Sequence, residues 1–195
     1  MTAPTLVIGN KNYSSWSLRA WLFLHASGVN FEERRVPLDT PTFKATMAEL
    51  SPTGCVPVLL DGTARVWEAL AICEYMNDKH TLAGWPTEEG ARAMACCARQ
   101  TGVNPSAAAR RDLDRVMAIW EGCRSRCAEN GAFLFGAFGI ADAMYAPVVL
   151  RCITYGVELS ARASGYAAAL LAHPSLQAWI AAARAEPEVI RHEER

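Results

Sequence analysis

The chain has 195 residues, 51% of them apolar and 20% charged, enough apolar material to bury a core and too much for a disordered chain. Its 19 lysines and arginines offset 20 aspartates and glutamates, so no strong field of either sign would recruit nucleic acid or an anionic membrane. Seven cysteines, an odd number without a Cys-x-x-Cys pair, argue against a secreted disulfide frame, a zinc ribbon or a dithiol redox centre.

The first nine residues carry no basic segment ahead of an apolar stretch. No apolar run approaches the roughly 18 residues of a membrane span. The expectation is a cytoplasmic protein with no membrane partner.

Taken in chain order, Thr5 to Gly9 reads as a short apolar strand, followed by a dense apolar helix through Leu18, Trp21 and Leu22 that ends near Gly28. Phe31 to Leu38 is a poorer strand crowded with Glu32, Glu33, Arg34 and Arg35, which suits a sheet edge. A short helix through Phe43, Met47 and Leu50 comes next. Val56 to Leu60 and Thr63 to Trp67 form a hairpin about Asp61-Gly62, a dipeptide suited to positive φ angles. Glu68 opens a helix with Leu70, Ile72, Tyr75 and Met76 as its apolar residues. Two strands joined by a helical crossover should be parallel, and a hairpin adds an antiparallel pair. The first 80 residues are therefore expected to form a mixed four-stranded α/β layer.

After Gly84-Trp85-Pro86 every signal is helix or loop. Leu113, Val116, Met117, Trp120 and Cys127 mark one face of an amphipathic helix. Ile140 to about Tyr155 is a largely apolar helix bearing Pro147, which should kink it or mark an early turn. Leu176, Trp179, Ile180 and Ala183 give a last helix, with Pro174 near its first turn and His173 as its cap. Cys123 and Cys127 stand at i,i+4, but with no histidine or carboxylate partner they read as small buried hydrophobes, and no metal is expected.

Between the first strand and the first helix lies Asn12-Tyr13-Ser14-Ser15-Trp16-Ser17-Leu18-Arg19. Backbone amides converge at such a place with the positive end of a helix dipole, so an anion is stabilised there. On the residues alone, Ser14 or Ser15 is either a helix cap or a donor to a bound anion. The segment resembles the active-site turn of serine-type cytosolic glutathione transferases and is similar to the Ser-Ser-Cys-Ser-x-Arg motif of the zeta class. Two further segments share the resemblance. Val56-Pro57 before an apolar strand is similar to the family's cis-proline, and Trp67-Glu68-Ala69-Leu70-Ala71-Ile72-Cys73-Glu74-Tyr75 resembles its Glu-Ser-x-Ala-Ile-x-x-Tyr-Leu segment.

The resemblance implies a thioredoxin-like glutathione-binding domain over residues 1–80 and an all-helical domain over 87–195. It implies glutathione as co-substrate, a small apolar electrophile as its partner in reaction, and a homodimer. Ser14 is the first choice as thiolate donor and Ser15 the second. Val56 and Pro57 would orient the tripeptide, and Glu68 and Ala69 would meet its γ-glutamyl end. Ala69 stands where the family has serine, so one hydroxyl bond to that end is missing. Phe133-Leu134-Phe135-Gly136 and Gly139-Ile140-Ala141-Asp142 resemble the family's capping segment for the central helix, in which Asp142 is structural. Trp16 occupies the zeta-class cysteine position, which disfavours maleylacetoacetate isomerase chemistry. Between Arg92 and Arg110 the chain is several helical turns shorter than the family pattern. That shortness and Ala69 favour the alternative, a noncatalytic binding or regulatory module of the same fold.

Overall fold

Alternation within β1 (Thr5–Ile8) sets the architecture: Leu6 and Ile8 turn to one side of the sheet and Val7 to the other, and all three are fully buried. A strand covered on both faces needs a continuous apolar run, which Leu6-Val7-Ile8 supplies. The structure, a computed structural model, describes residues 3–82, 84 and 107–190. The four strands are β1, β2 (Glu32–Arg35), β3 (Val58–Asp61) and β4 (Ala64–Trp67), in the order β2-β1-β3-β4. β1 and β2 are parallel and the other pairs antiparallel, the mixed sheet expected from the element order. β2 is an exposed edge, in keeping with its Glu-Glu-Arg-Arg sequence.

Helix α1 (Ser15–Ala26) crosses from β1 to β2, and α2 (Pro41–Leu50) leads to the hairpin. Val7, Val36 and Val58 pack with Met47 of α2 on one face of the sheet. The other face, with Leu6, Ile8 and Leu59, packs on α1 and α3 (Ala69–His80) and is continuous with the core of the helical half. The hairpin closes one residue later than expected. Asp61 pairs with Ala64, so the loop is Gly62-Thr63, and only Gly62 takes a positive φ, 59°. Asp61 stays in the strand, where its carboxylate accepts from the Tyr75 hydroxyl at 2.8 Å and pairs with Lys79.

The helical half comprises α4 (Ala107–Cys127), α5 (Ile140–Thr154), α6 (Ala161–Leu171) and α7 (Pro174–Ala185). Pro147 lies inside α5, so it does not mark an early turn. The reading of the sequence has no counterpart for α6, whose signal is the Ser160 cap accepting from the Ala163 N–H at 3.3 Å. Its buried side chains are only Ala163, Tyr166, Ala167 and Leu170, a thin apolar stripe. Trp120 packs edge-on against Tyr145 and Tyr166 at the centre of this half. Residues 85–106, which include the expected boundary at Trp85-Pro86 and most of the short stretch from Arg92 to Arg110, lie outside the described residues.

Asp142 performs the capping role read from the sequence. It is 1% exposed, and its two carboxylate oxygens accept from the Gly139 N–H at 2.9 Å and the Leu134 N–H at 3.0 Å. One side chain thus starts α5 and holds the preceding loop against it.

Candidate functional site

Strand register gathers the three sequence segments at one end of the sheet. Val7 lies opposite Val58, and Val58 opposite Trp67. The chain leaving β1, the chain entering β3 and the chain leaving β4 therefore meet along one edge. The first carries Asn12 to Ser15, the second Val56-Pro57, the third Glu68. The Val56-Pro57 bond is cis, as the resemblance implies.

The turn after β1 is compact. Asn10 offers its carbonyl to the N–H groups of Tyr13 at 3.2 Å and Ser14 at 2.8 Å, and its side-chain oxygen to the Leu38 N–H at 2.8 Å. Gly9 must be small, because a Cβ there would stand 2.8 Å from the Leu38 side chain and 3.2 Å from the Ser14 Cβ. The far end of the chain grips the outer side of this turn. Glu186 accepts from the Lys11 N–H at 2.9 Å and the Asn12 N–H at 3.4 Å, Trp179 donates to the Lys11 carbonyl at 3.1 Å, and the Ile190 N–H donates to the Tyr13 hydroxyl at 3.1 Å.

Ser14 is the N-cap of α1. Its Oγ accepts from the Ser17 N–H at 3.3 Å and donates to Ser17 Oγ at 2.7 Å, and the residue is 7% exposed. Ser15 is the first helical residue and is partly exposed. No acidic residue lies in the first turn of α1, so nothing there cancels the positive end of the helix. One turn on, the buried Arg19 guanidinium donates to the Ser15 carbonyl and to the Met144 carbonyl of α5, both at 3.1 Å, and stacks 4.3 Å over the exposed Trp16 ring. A fixed positive charge therefore sits beside the serines.

Glu68 is the N-cap of α3, exposed, with φ 74° and ψ 129°. A non-glycine residue there carries about 1–3 kcal/mol of backbone strain, the kind of outlier that concentrates where a ligand is held. Val56 is partly exposed and Pro57 buried. Ala69 is fully enclosed, main chain included. Of the two residues expected at the γ-glutamyl end, Glu68 is the one open to a ligand in this state.

The described cysteines are free. Burial pushes the Cys73 and Cys152 thiols up, which makes them poor nucleophiles. Among the described residues no group of three or more His, Cys, Asp or Glu could hold a metal ion, and no helix is long and apolar enough to cross a membrane. Arg19 belongs to the motif quoted from the sequence, yet its link to Met144 could not be seen there. Ser17 was likewise present only as a letter of that motif.

Comparison with known proteins points to one family. The glutathione S-transferase N-terminal domain family matches residues 13–79, and the glutathione S-transferase C-terminal domain family matches 106–182. A dichloromethane dehalogenase from Methylorubrum extorquens is 39% identical over 64 residues, which is 32% of this chain and 22% of that relative's length. The chain thus matches less than a quarter of that relative. A glutathione transferase homolog from Burkholderia, solved with bound glutathione, superposes with a TM-score of 0.75 at 24% identity, over 95% of this chain and 100% of that one. The Tau class glutathione S-transferase from mango, Mangifera indica, gives 0.69 at 19% identity over 93% and 96%. At these identities the superpositions show the shared fold, the mixed sheet followed by helices.

Proposed function

The chain belongs to the glutathione S-transferase family, and from that premise we propose that it binds glutathione, holds its thiol as thiolate and presents the sulfur to a small apolar electrophile. The observation that carries the reading is the meeting of the Ser14-Ser15 turn, Val56-Pro57 and the strained Glu68 at one end of the sheet. The main chain at Val56 and Pro57 would align the cysteinyl part of the tripeptide, and the Glu68 carboxylate would pair with the γ-glutamyl amine. That puts the sulfur over the start of α1.

A cysteine thiol has a pKa of about 8.5, and each unit of lowering corresponds to about 1.4 kcal/mol in favour of the thiolate. The Ser14 hydroxyl, the first amides of α1 and the nearby Arg19 charge act in that direction. The thiolate lone pair then forms a carbon–sulfur bond while the electrophile's leaving group departs with its own electron pair, or an activated double bond takes up the electrons and a proton. The dehalogenase relative is consistent with the first route. Alignment of the two reactants supplies the rest of the acceleration. The two domains, residues 1–80 and 87–195, would divide the work, glutathione on the first and the electrophile against the second, in a homodimer in the cytoplasm.

Calorimetric titration of the folded protein with glutathione tests the reading, with a saturable heat expected by millimolar concentration. Its absence would favour a second reading, a noncatalytic module. Two observations speak for that reading: the Ser14 hydroxyl is turned to Ser17, and Ala69 is enclosed and lacks a hydroxyl.

Glu68→Gln is expected to weaken glutathione about tenfold or more. It removes one charge-assisted bond, about 1.5–3 kcal/mol, and keeps the same backbone strain. The same titration reads it. Unchanged affinity would mean that the amine lies elsewhere.

A further inference from the structure

Ser17 is 0% exposed and cannot touch a substrate, yet it is hydrogen-bonded to Ser14 twice. Its Oγ accepts from the Gly9 N–H at 3.1 Å and from the Ser14 hydroxyl at 2.7 Å, while its own N–H donates to Ser14 Oγ at 3.3 Å. A hydroxyl has one hydrogen and two acceptor sites. In this state the one hydrogen of Ser14 lies on Ser17 and is not available to a ligand. For Ser14 to serve a thiolate, that hydrogen must leave Ser17, and a buried acceptor must not be stranded in the process.

Resting on the reading of Ser14 as thiolate donor, we propose that Ser17 is its positioning residue: when the sulfur arrives, the two hydroxyls exchange roles, Ser14 donating to sulfur and Ser17 donating to Ser14 Oγ. No covalent bond to hydrogen breaks; both hydroxyls rotate. After the exchange Ser14 Oγ accepts from the Ser17 N–H and the Ser17 hydroxyl, and Ser17 Oγ keeps the Gly9 N–H, so every partner seen in this structure is retained or replaced. The resulting chain runs from the Gly9 N–H through Ser17 and Ser14 to sulfur. Each donor in such a chain polarises the next, so Ser14 becomes a stronger donor to the thiolate than an isolated serine would be. Gly9 directly follows β1 and Ser17 lies in the first turn of α1, so the chain also ties the donor to the end of the sheet where the rest of the site lies.

The test is a double-mutant cycle on the thiol pKa of bound glutathione, read from thiolate ultraviolet absorbance against pH. Ser17→Ala is expected to raise that pKa by about half a unit to one unit, roughly three- to tenfold less thiolate at a fixed pH below it. In a Ser14→Ala background the same change should move it no further, because Ser17 acts only through Ser14. Ser17→Cys keeps the size and a weak donor, so it should fall between serine and alanine; it carries the test if the alanine variant does not fold. The proposal is overturned if Ser17→Ala leaves the pKa unmoved, or moves it equally with and without Ser14. If Ser14→Ala itself moves nothing, the reading of Ser14 falls, and the role of Ser17 with it.

Discussion

Ser14→Ala is expected to raise the pKa of bound glutathione by about one unit or more and to cut turnover near pH 6.5 about tenfold, at a cost of about 1 kcal/mol of stability. The sequence offers cap and donor as alternatives for this serine. The structure places it as the cap of α1, with its Oγ on the Ser17 N–H. Capping uses one acceptor site of the hydroxyl, however, and thiolate stabilisation uses its hydrogen, so one side chain can do both. The two effects therefore separate by readout. Chemical denaturation without ligand reads the cap, and thiolate absorbance with ligand reads the donor. Ser15→Ala serves as the companion, because Ser15 is the first helical residue and the N-cap position belongs to Ser14. If the titration moves with Ser15 and not with Ser14, the neighbours exchange roles. If it moves with neither, the amides of α1 and Arg19 hold the thiolate without a hydroxyl.

Much of the site was legible because its parts are local. A hydroxyl pair ahead of an apolar helix, a proline ahead of an apolar strand and an acidic residue opening a helix are each written within a few adjacent residues. Their meeting was not: it follows from the pairing of β1 with β3, which the order of elements leaves open and the strand register supplies. What could not be read depends on contacts between distant positions. Glu186 holds the Lys11 and Asn12 amides across separations of 175 and 174 residues, and Arg19 reaches Met144 across 125. No periodicity or motif encodes such pairs. Ala69 illustrates another limit: its missing hydroxyl is plain in the sequence, but only packing reveals that the residue is sealed. Helix α6 was missed because five of its eleven residues are alanine, so propensity favours a helix while the apolar stripe that would announce one is thin.

The central helix of the second half couples to the same turn through Met144 and Arg19, and its start depends on the protonation of one carboxyl. Burial, the larger influence, pushes the Asp142 carboxyl up to about 6 from an ordinary 3.8, against the pull of the Leu134 and Gly139 N–H groups. Tyr166 brings its hydroxyl to the same carboxylate without a close hydrogen bond. Between these two values the folded protein holds a proton that the unfolded chain has released. Stability gained from that proton is therefore full below about 4 and is lost as pH rises through about 6, on the order of 2–3 kcal/mol in all. Asp142→Asn cannot titrate. It also turns an amide N–H2 toward one of the two backbone donors, so it should be less stable than the native protein at every pH. Urea midpoints of both proteins from pH 4.5 to 7.5 should show the gap widest at the acid end and narrowing toward neutrality, with other carboxylates cancelling in the difference. A gap that widens with pH would mean that the two N–H bonds outweigh burial and that the folded carboxyl lies below its ordinary value.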